Sequence, residues 1–378
     1  MQYYDVIVAG LGAMGSAAFD QLARRGVRVL GIEPHGVPHG HGSSGGDTRL
    51  IRKAYFEHPD YVPLLERAYA NWRSLEADSG CRLLFETGTL YLGEADGDLI
   101  DGSRQSAGTH GVPLQELDDT ALQERFPQFR RPSGYVALYE PEAGFLLSEQ
   151  AVRAQVVSGL RHGGTLAGGE RVVDWRAGTG GVTVRTDRER YQAGTLVLCA
   201  GAWTSRLLEE LELALTVTRQ VLFWLQPLRE APFELGNVPC WAVQRGDAPG
   251  LFYGFPALPG ALTAQLGVKV AQHHPGEQQD PDAVRAPPRR DELDHLLTAL
   301  APFVPDLQGP LTGARTCLYT MSRDQHFIVD RHPAHGNVIL ACGFSGHGFK
   351  FASVIGEALA DLALTGASSL PVEFLRLR

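Results

Sequence analysis

The sequence contains little cysteine, no long apolar run and no excess of basic residues. Five cysteines among 378 residues are too few and too scattered for a disulfide framework, and no C-x-x-C pair indicates a zinc site. No apolar stretch approaches the ~20 residues that cross a membrane, and no charged segment leading into an apolar one indicates a signal peptide. The formal net charge of −9 argues against nucleic acid as a partner. We expect a soluble, cytoplasmic protein that acts on a small molecule and binds no metal, membrane or nucleic acid.

A glycine-rich turn follows the first apolar run of the chain. Gly10, Gly12 and Gly15 come directly after that run, and Glu33 ends the next one. In a dinucleotide site, the first glycine permits a tight turn, the second lets the backbone approach a pyrophosphate, and the third lets the helix pack on the strand. Glu33 is placed to accept hydrogen bonds from a ribose hydroxyl. With a helix from Ala13 to Arg25, these residues predict a dinucleotide site, the alternative being a strand-turn-helix unit that binds nothing.

The chain then leaves this nucleotide-binding pattern and returns to it twice. Strands dominate from residue 216 to 270, whereas nucleotide-type strands recur near Thr195 and Asn337, the second followed by a glycine-rich turn and a helix. We predict an α/β fold of the α+β two-domain type, in which a Rossmann-like FAD-binding domain is interleaved with an antiparallel-sheet substrate domain. The segments are 1–80, 145–215 and 310–378 for the first domain, and 81–144 and 216–309 for the second.

This interrupted order favours FAD over a nicotinamide cofactor. A nicotinamide enzyme usually keeps its dinucleotide domain as one block of alternating strands and helices. FAD spans a longer groove, so the N-terminal glycines would hold its pyrophosphate while a late turn containing Gly343, Gly346 and Gly348 lies at the flavin end. Free N–H groups at a helix start there would stabilise negative charge on the reduced flavin.

Two patterns of charged residues give local predictions. Arg49 and Arg52 follow Asp47-Thr48, which resembles a helix cap, so their spacing predicts a shared helix face. Two arginines at this spacing are usually a solvated surface. Lys269 interrupts an apolar run in a strand predicted from Leu262 to Val270, which is costly unless the charge is used, paired or pointed at solvent.

Five separated segments resemble the monomeric sarcosine oxidase and N-methyltryptophan oxidase family. The resemblance runs from end to end of the chain, in the family's order, and implies a monomeric FAD-dependent amine oxidase. The segments are Gly42-Ser-Ser-Gly-Gly-Asp-Thr-Arg-Leu-Ile-Arg52, Tyr253-Gly-Phe-Pro256, Gly267-Val-Lys269, Cys317-Leu-Tyr-Thr320 and Gly343-Phe-Ser-Gly-His-Gly-Phe-Lys-Phe-Ala352.

The resemblance implies that Cys317 carries the flavin through a thioether to its 8α-methyl carbon. A thiolate is the competent nucleophile, so a cation such as Arg315 would help if it faces the sulfur. The alternative is a buried structural cysteine, which is the commoner fate of a lone cysteine. Ser43 and Thr48 are further cofactor-binding candidates.

The resemblance also assigns residues to the substrate. Arg52 and Lys350 would hold a carboxylate, which a planar guanidinium matches in a bidentate manner, and Tyr319 would bind the substrate near its amine. Glu57 either orients Arg52 or is a surface acid. The implied catalytic candidates are Arg49 at the flavin, Lys269 for the reaction with oxygen, and His273 and Tyr253 near the substrate amine.

One position departs from the family. Relatives often carry histidine where this chain has Gly45, which weakens any role for a histidine near the flavin. His39 and His41 lie nearby in sequence and would replace it only if their loop bends back.

The predicted reaction is oxidative N-demethylation of a small N-methyl amino acid, giving the amino acid, formaldehyde and hydrogen peroxide. Flavin would do the redox chemistry while protein groups position the substrate. The alternatives are an FAD amine oxidase acting on a cyclic imino acid or a larger amine, a dehydrogenase that avoids oxygen, and a flavin-binding sensor without catalysis. Two segments lie slightly closer to the N-methyltryptophan enzymes, but pocket size is not readable from sequence.

Overall fold

The structure is a computed structural model that describes residues 2–378. Its α-helices are α1 Ala13–Arg24, α2 Val62–Ser79, α3 Asp98–His110, α4 Asp119–Arg125, α5 Ser148–Arg161, α6 Thr204–Leu207, α7 Arg290–Leu300 and α8 Ala352–Leu364. Within these residues, no helix combines the length and apolar character that crossing a bilayer requires.

The strands form three sheets. In chain order they are β1 Tyr3–Ala9, β2 Val29–Glu33, β3 Thr48–Ile51, β4 Leu84–Phe85, β5 Thr89–Glu94, β6 Gln115–Leu117, β7 Tyr135–Glu140, β8 Gly144–Leu147, β9 Thr165–Gly168, β10 Val172–Gly178, β11 Gly181–Thr186, β12 Arg190–Leu198, β13 Thr216–Leu225, β14 Cys240–Gln244, β15 Leu251–Gly254, β16 Val268–His273, β17 Glu277–Gln278, β18 Leu311–Met321, β19 Ile328–His332 and β20 His335–Cys342.

The first sheet carries the nucleotide-type elements. Its eight strands include β10-β11-β12-β1-β2-β9 in that order, with β20 paired to β12 and β19 to β20. The pairs of β1 with β2 and β12, of β2 with β9 and of β12 with β20 are parallel. Strands from the start, middle and end of the chain therefore meet in one sheet, which confirms the predicted α/β class.

The second sheet has nine strands and is mostly antiparallel. Its order is β17-β13-β16-β15-β14-β5-β7-β6, with β18 also paired to β13. Because β18 pairs with β13 along almost its whole length, a domain boundary at residue 310 cuts this sheet. We propose instead that the substrate domain extends through Met321. The third sheet is small and has the order β3-β8-β4.

Helix α1 lies against both α5 and α8, and the contact with α8 depends on a glycine. A Cβ at Gly356 would lie 2.4 Å from the Cβ of Ala17, so only glycine allows this approach of the two helices. Phe19 and Leu22 of α1 have no exposed surface and belong to the same apolar core as much of α8. This packing fixes the start of α1, where the site begins.

Several local predictions were wrong. The strand predicted from Leu262 starts only at Val268, because Gly267 has a left-handed φ of +95° and a Cβ there would lie 2.4 Å from the Leu225 oxygen. The strand also continues past Val270, its predicted end, through His273. Helix α3 was not predicted at all. By contrast, β13 and β14 lie within residues 216–270, where strands were predicted.

Candidate active site

A long groove runs along the carboxyl ends of the parallel strands β1, β2, β12 and β20. Its volume is about 380 Å³, within the ~300–1,000 Å³ range of ligand clefts. This edge of a parallel sheet is where open α/β folds bind ligands. The predicted cofactor residues that line the groove are Gly10, Gly12, Glu33, Ser43, Gly343, Gly346 and Gly348.

The N-terminal glycines shape one end of the groove. Gly10 has a left-handed φ of +88°, and a Cβ at Gly15 would lie 1.8 Å from the Gly10 oxygen, so neither position accepts a side chain without distortion. Gly15 packs the helix and does not line the groove. A Cβ at Gly12 would meet only Ser44 Oγ, at 3.6 Å, so the space beside Gly12 is open to a ligand.

Glu33 is a buried carboxylate at the same end. It accepts a hydrogen bond from the Leu11 N–H at 2.8 Å, and its other oxygen lies 3.2 Å from His39 Nε2. Desolvation raises the pKa of Glu33, but the hydrogen bonds from His39 and Leu11 outweigh this effect and leave the pKa below its usual value. Glu33 is therefore an ionised hydrogen-bond acceptor on the groove wall.

The opposite end of the groove is formed by the turn after β20. Gly343, Ser345 and Gly346 all have left-handed φ values, and the Ser345 N–H donates to the Thr320 oxygen at 2.9 Å. Thr320 Oγ1 is buried on the groove wall and has no hydrogen-bond partner among residues 2–378. An unpartnered buried hydroxyl is costly, so this atom is suited to a polar ligand atom.

A smaller cavity of about 60 Å³ adjoins this end of the groove. Arg49, Tyr319, Gly346 and Phe349 line both spaces. The other predicted residues that line the small cavity are Arg52, Tyr253, His273 and Lys350. The structure thus brings together the predicted substrate-binding residues next to the predicted flavin end.

Two buried cations and one carboxylate dominate the small cavity. Arg52 Nη2 donates to both oxygens of Glu57, at 2.7 and 2.8 Å, so Glu57 orients Arg52 and is not a free surface acid. Desolvation raises the pKa of Glu57, but Arg52 outweighs this effect and lowers it to about 2. Lys350 is 5% exposed and donates to the His347 oxygen at 2.6 Å. Desolvation, followed by the charge of Arg52, lowers the pKa of Lys350 to about 7.

The helix predicted to carry Arg49 and Arg52 is absent. Residues Thr48–Ile51 form strand β3, which pairs antiparallel with β8. The pairing partner is almost a hundred residues away, and it overrides a local pattern that resembles a helix cap. Arg52 follows the end of this short strand, and both arginines still reach the small cavity.

The turn before β3 binds two cations through backbone oxygens. Arg49 Nη2 donates to the oxygens of Ser43, at 2.7 Å, and Gly45, at 2.5 Å. Lys269 Nζ donates to the oxygens of Gly46, at 2.6 Å, and Thr48, at 2.7 Å, and to Thr48 Oγ1 at 3.2 Å. Desolvation and the charge of Arg49 lower the pKa of Lys269 well below its usual value. Neither Lys269 nor Thr48 lines the groove or the small cavity.

His273, Tyr319 and Tyr253 form a polar group beside the cations. His273 Nδ1 lies 3.3 Å from the Tyr319 hydroxyl. Desolvation lowers the pKa of His273 to about 4 and raises the pKa of Tyr253 to about 12. Near neutral pH, therefore, the imidazole is uncharged and the Tyr253 phenol keeps its proton.

Cys317 is buried on β18 and lines neither space directly. It lies two residues before Tyr319 on the strand, so the two side chains share a face. Burial raises the pKa of the Cys317 thiol, and Arg49, Lys269 and Arg285 oppose this rise. Arg315, the cation indicated by the sequence, instead lies 3.8 Å from Glu149.

The space beside Gly45 is filled by other parts of the chain. A Cβ at this position would lie 3.2 Å from Gly40 Cα and 3.4 Å from Glu149 Oε1, so a histidine does not fit without a shift. His39 does not replace it, because its imidazole lies against Glu33 at the other end of the groove. The His41 oxygen accepts a hydrogen bond from Arg285.

Some site residues carried no clear sequence signal. The turn after β12, which follows the nucleotide-type strand near Thr195, lines the groove through residues 199–203. Thr320 and Arg206 were not predicted, because they are brought to the groove by contacts between segments that are distant in sequence. The unpredicted apolar wall of the small cavity consists of Leu50, Phe56, Leu99, Ala242 and Leu251. Among residues 2–378, no group of His, Cys, Asp or Glu side chains is arranged to hold a metal ion.

The chain is similar to known proteins along nearly its whole length. The chain is similar to monomeric sarcosine oxidase from Streptomyces avermitilis, with 41% identity over 98% of this chain and 96% of that protein. It is 35% identical to N-methyl-L-tryptophan oxidase from Salmonella arizonae, over 99% of this chain and 98% of that protein. The open form of NikD, an unusual amino acid oxidase essential for nikkomycin biosynthesis, has a TM-score of 0.88 at 27% identity and covers 100% of this chain and 98% of its own.

Residues 5–362 match the model of a protein family described as FAD dependent oxidoreductase. This match includes both ends of the groove and every residue of the small cavity. The chain therefore belongs to the FAD dependent oxidoreductase family.

Proposed function

We propose that this protein is an oxidase that removes the N-methyl group of a small N-methyl amino acid, giving the amino acid, formaldehyde and hydrogen peroxide. The names of the relatives supply the reaction class. The observation that carries the proposal is the pair of buried cations Arg52 and Lys350 in the small cavity beside the groove, since Glu57 pairs with Arg52 and, among residues 2–378, Lys350 has no carboxylate within ion-pair distance. A substrate carboxylate would supply the missing negative charge.

The size of the small cavity favours a small substrate. Its volume of about 60 Å³ corresponds to roughly four to six water positions, at ~10–15 Å³ for each. Sarcosine fits this scale, whereas an indole side chain requires the apolar wall to move. The cavity therefore favours a sarcosine-type substrate over the N-methyltryptophan type.

The groove fits FAD on three observations. Gly12 leaves open space at the N-terminus of α1, Glu33 offers an ionised acceptor for a ribose, and Thr320 Oγ1 lacks a partner near the opposite end. Bound FAD supplies a two-electron acceptor that oxygen can regenerate. We propose a thioether between its 8α-methyl carbon and Cys317. Burial raises the pKa of this thiol, and the nearby cations Arg49, Lys269 and Arg285, which oppose the rise, support that position.

Two groups of residues in the small cavity would bind different parts of the substrate. Arg52 and Lys350 would bind the substrate carboxylate, which places the amine near His273, Tyr253 and Tyr319. The uncharged His273 imidazole would accept a hydrogen bond from the amine, and the phenols would donate. We assign no obligatory base to this group, because orientation supplies much of the rate.

Arg49 and Lys269 would act on the oxygen half of the reaction. A fixed positive charge stabilises superoxide formed in the first electron transfer to oxygen. Lys269 is held by backbone oxygens close to Arg49, which lines both spaces. This position supports a role in reoxidation and not in substrate binding.

Peroxide formation from a substrate panel tests the function. Under air, sarcosine and N-methyl-L-alanine should give peroxide and an equal amount of formaldehyde, with kcat/KM at least about a hundredfold above that of N-methyl-L-tryptophan. Faster oxidation of L-proline would indicate the cyclic imino acid alternative. Flavin bleaching without peroxide would indicate a dehydrogenase, and no bleaching under anaerobic conditions would exclude catalysis.

Flavin attachment is tested on a denaturing gel. The wild-type band should retain yellow fluorescence after acid precipitation, and Cys317→Ser should lose it. Cys240→Ala is the matched control, because Cys240 is also buried and also lies near Lys269. Loss of fluorescence in both variants, or in neither, would contradict attachment at Cys317.

A further inference from the structure

Tyr55 is a buried residue whose ring contacts both cations of the small cavity. Arg52 Cζ lies 4.5 Å from the ring centroid, and Lys350 Nζ lies 5.1 Å from it. Tyr55 has no exposed surface and does not line the cavity. A cation within about 6 Å of an aromatic centroid is attracted by the ring's negative face. One ring therefore stabilises two like charges that repel each other.

The orientation of this ring is fixed by His347. The Tyr55 hydroxyl lies 2.5 Å from His347 Nδ1, and His347 Nε2 lies 2.9 Å from the Gln325 oxygen. Because a carbonyl oxygen only accepts, Nε2 carries the proton and Nδ1 accepts from Tyr55. Desolvation lowers the pKa of His347 to about 3, so this arrangement persists across the physiological range.

His347 also holds Lys350, through its main chain. Its carbonyl oxygen accepts from Lys350 Nζ at 2.6 Å, while its side chain holds the Tyr55 ring. The second cation, Arg52, contacts two rings. Its Cζ lies 4.5 Å from the centroid of the Tyr55 ring and 4.6 Å from the centroid of the Phe56 ring. The positions of both cations therefore depend on Tyr55 and His347.

We propose that Tyr55, held by His347, is a positioning residue that sets the spacing of Arg52 and Lys350 for a substrate carboxylate. This inference rests on the proposed function of the small cavity. The charged and titratable groups around Lys350 are Arg52, Glu57, Tyr55, His347 and His273. Arg52 disfavours the ammonium form of Lys350, and the two histidines are uncharged. Glu57, the His347 oxygen and the rings of Tyr55 and Phe351 favour that form, and the Tyr55 ring is the nearer of the two rings to Nζ, at 5.1 Å against 5.6 Å.

The test is the binding of acetate to the holoenzyme between about pH 6 and pH 9, a range in which acetate is fully ionised. The perturbation of flavin absorbance reports the Kd at each pH. Tyr55→Leu should weaken binding about tenfold at pH 7 and move the pH midpoint of binding down by about half a unit or more, since the ring no longer favours the ammonium. Tyr55→Phe keeps the ring but loses its anchor, so Kd and KM should rise about threefold with kcat within twofold.

Tyr61→Phe is the matched control. Tyr61 is also buried and lies 3.0 Å from His326 Nδ1 through its hydroxyl, but among residues 2–378 no cation lies over its ring. This variant should bind acetate like the wild type, with the same pH midpoint. A loss in Tyr61→Phe equal to that in Tyr55→Phe would overturn the inference, because any buried phenol would then have the same effect.

The outcomes separate the inference from the proposed function. Weaker binding by one factor at every pH, with an unchanged midpoint, would show only a structural role for Tyr55 and overturn the inference. If Tyr55→Leu does not fold, the result for Tyr55→Phe is used instead. A Kd of Tyr55→Phe for acetate equal to that of the wild type would then overturn the inference. A shifted midpoint in a protein that oxidises no N-methyl amino acid would support the inference and contradict the proposed substrate.

Discussion

The cations in and beside the small cavity are held in different ways, at two places that we call the carbonyl end and the carboxylate end. At the carbonyl end, Arg49 and Lys269 donate to oxygens of the turn 43–48. At the carboxylate end, Arg52 pairs with Glu57, and Lys350 has one backbone acceptor. The fold itself supplies acceptors for the N–H groups at the carbonyl end. At the carboxylate end, N–H groups of Lys350 remain available to bind an anion.

The hydrogen-bond geometry explains this difference for the two buried lysines. Lys269 Nζ lies within hydrogen-bond distance of three oxygen atoms, and these contacts oppose the effects of burial and of Arg49, which lower its pKa well below the usual value. Lys350 donates to one, and its pKa is lowered to about 7. Buried donors without acceptors are costly, so a ligand carboxylate at Lys350 relieves a cost that the fold leaves in place. The carbonyl end therefore holds its cations through the fold alone, and the carboxylate end suits a charge that responds to ligand.

The largest expected effect comes from removing the charge at one end at a time. Lys269→Met should slow reoxidation of the reduced flavin by oxygen about 10²–10³-fold, because a fixed charge near developing superoxide is lost. Anaerobic reduction by substrate should change little. Lys350→Met should do the reverse, leaving reoxidation almost intact and weakening substrate binding about 10–100-fold. Stopped-flow absorbance of the two half-reactions measures both rates.

Each lysine variant serves as the control for the other. Both remove a buried ammonium and replace it with an apolar chain of similar length, so a general effect on folding or flavin loading would appear in both half-reactions. Equal losses in the two half-reactions of either variant would remove the distinction between the ends.

A second effect is the response of the two ends to pH. Because the pKa of Lys350 is lowered to about 7, its ammonium predominates below pH 7 and its amine above. An anion binds the ammonium form, so the Kd for acetate should be flat below pH 7 and rise by up to about tenfold per pH unit above it. His273 and His347, with pKa values lowered to about 4 and about 3, do not titrate in this range.

Lys350→Arg sharpens this test, because an arginine keeps its charge across the range. Its Kd for acetate should lose the rise above pH 7, whatever its absolute value. Lys269→Met should keep the rise with an unchanged midpoint. A pH dependence that follows Lys269 instead of Lys350 would reverse the assignment of the two ends.

The sequence predicted one part of this site well and another poorly, for physical reasons. Gly10, Gly12, Gly15 and Glu33 belong to one local unit, so spacing along the chain was enough to place them. The predicted helix face for Arg49 was wrong because β3 takes its conformation from pairing with β8, which no local pattern reveals.

Contacts between segments that are distant in sequence could not be predicted. Tyr55 and His347 are almost three hundred residues apart in sequence, and their hydrogen bond exists only in the folded chain. The orphaned hydroxyl of Thr320 likewise becomes visible only once β18 and the turn after β20 are in place. Family resemblance supplied Arg52, Lys350 and Lys269, but not the difference in how their charges are held.

The smallest expected effect concerns the backbone of the carbonyl end. Gly45→Ala adds a Cβ that would lie 3.2 Å from Gly40 Cα and 3.4 Å from Glu149 Oε1, so the turn must shift slightly. The Gly45 oxygen accepts from Arg49, so reoxidation should slow about two- to fivefold, and the Tm should fall by about 2 °C for a cost of ~1 kcal/mol. Gly42→Ala is the control, because its Cβ would meet only His39 Cε1, at 3.8 Å. Since neither position touches Lys350, acetate binding should stay unchanged in both variants. A change in acetate affinity caused by Gly45→Ala would show that the two ends are coupled through the turn.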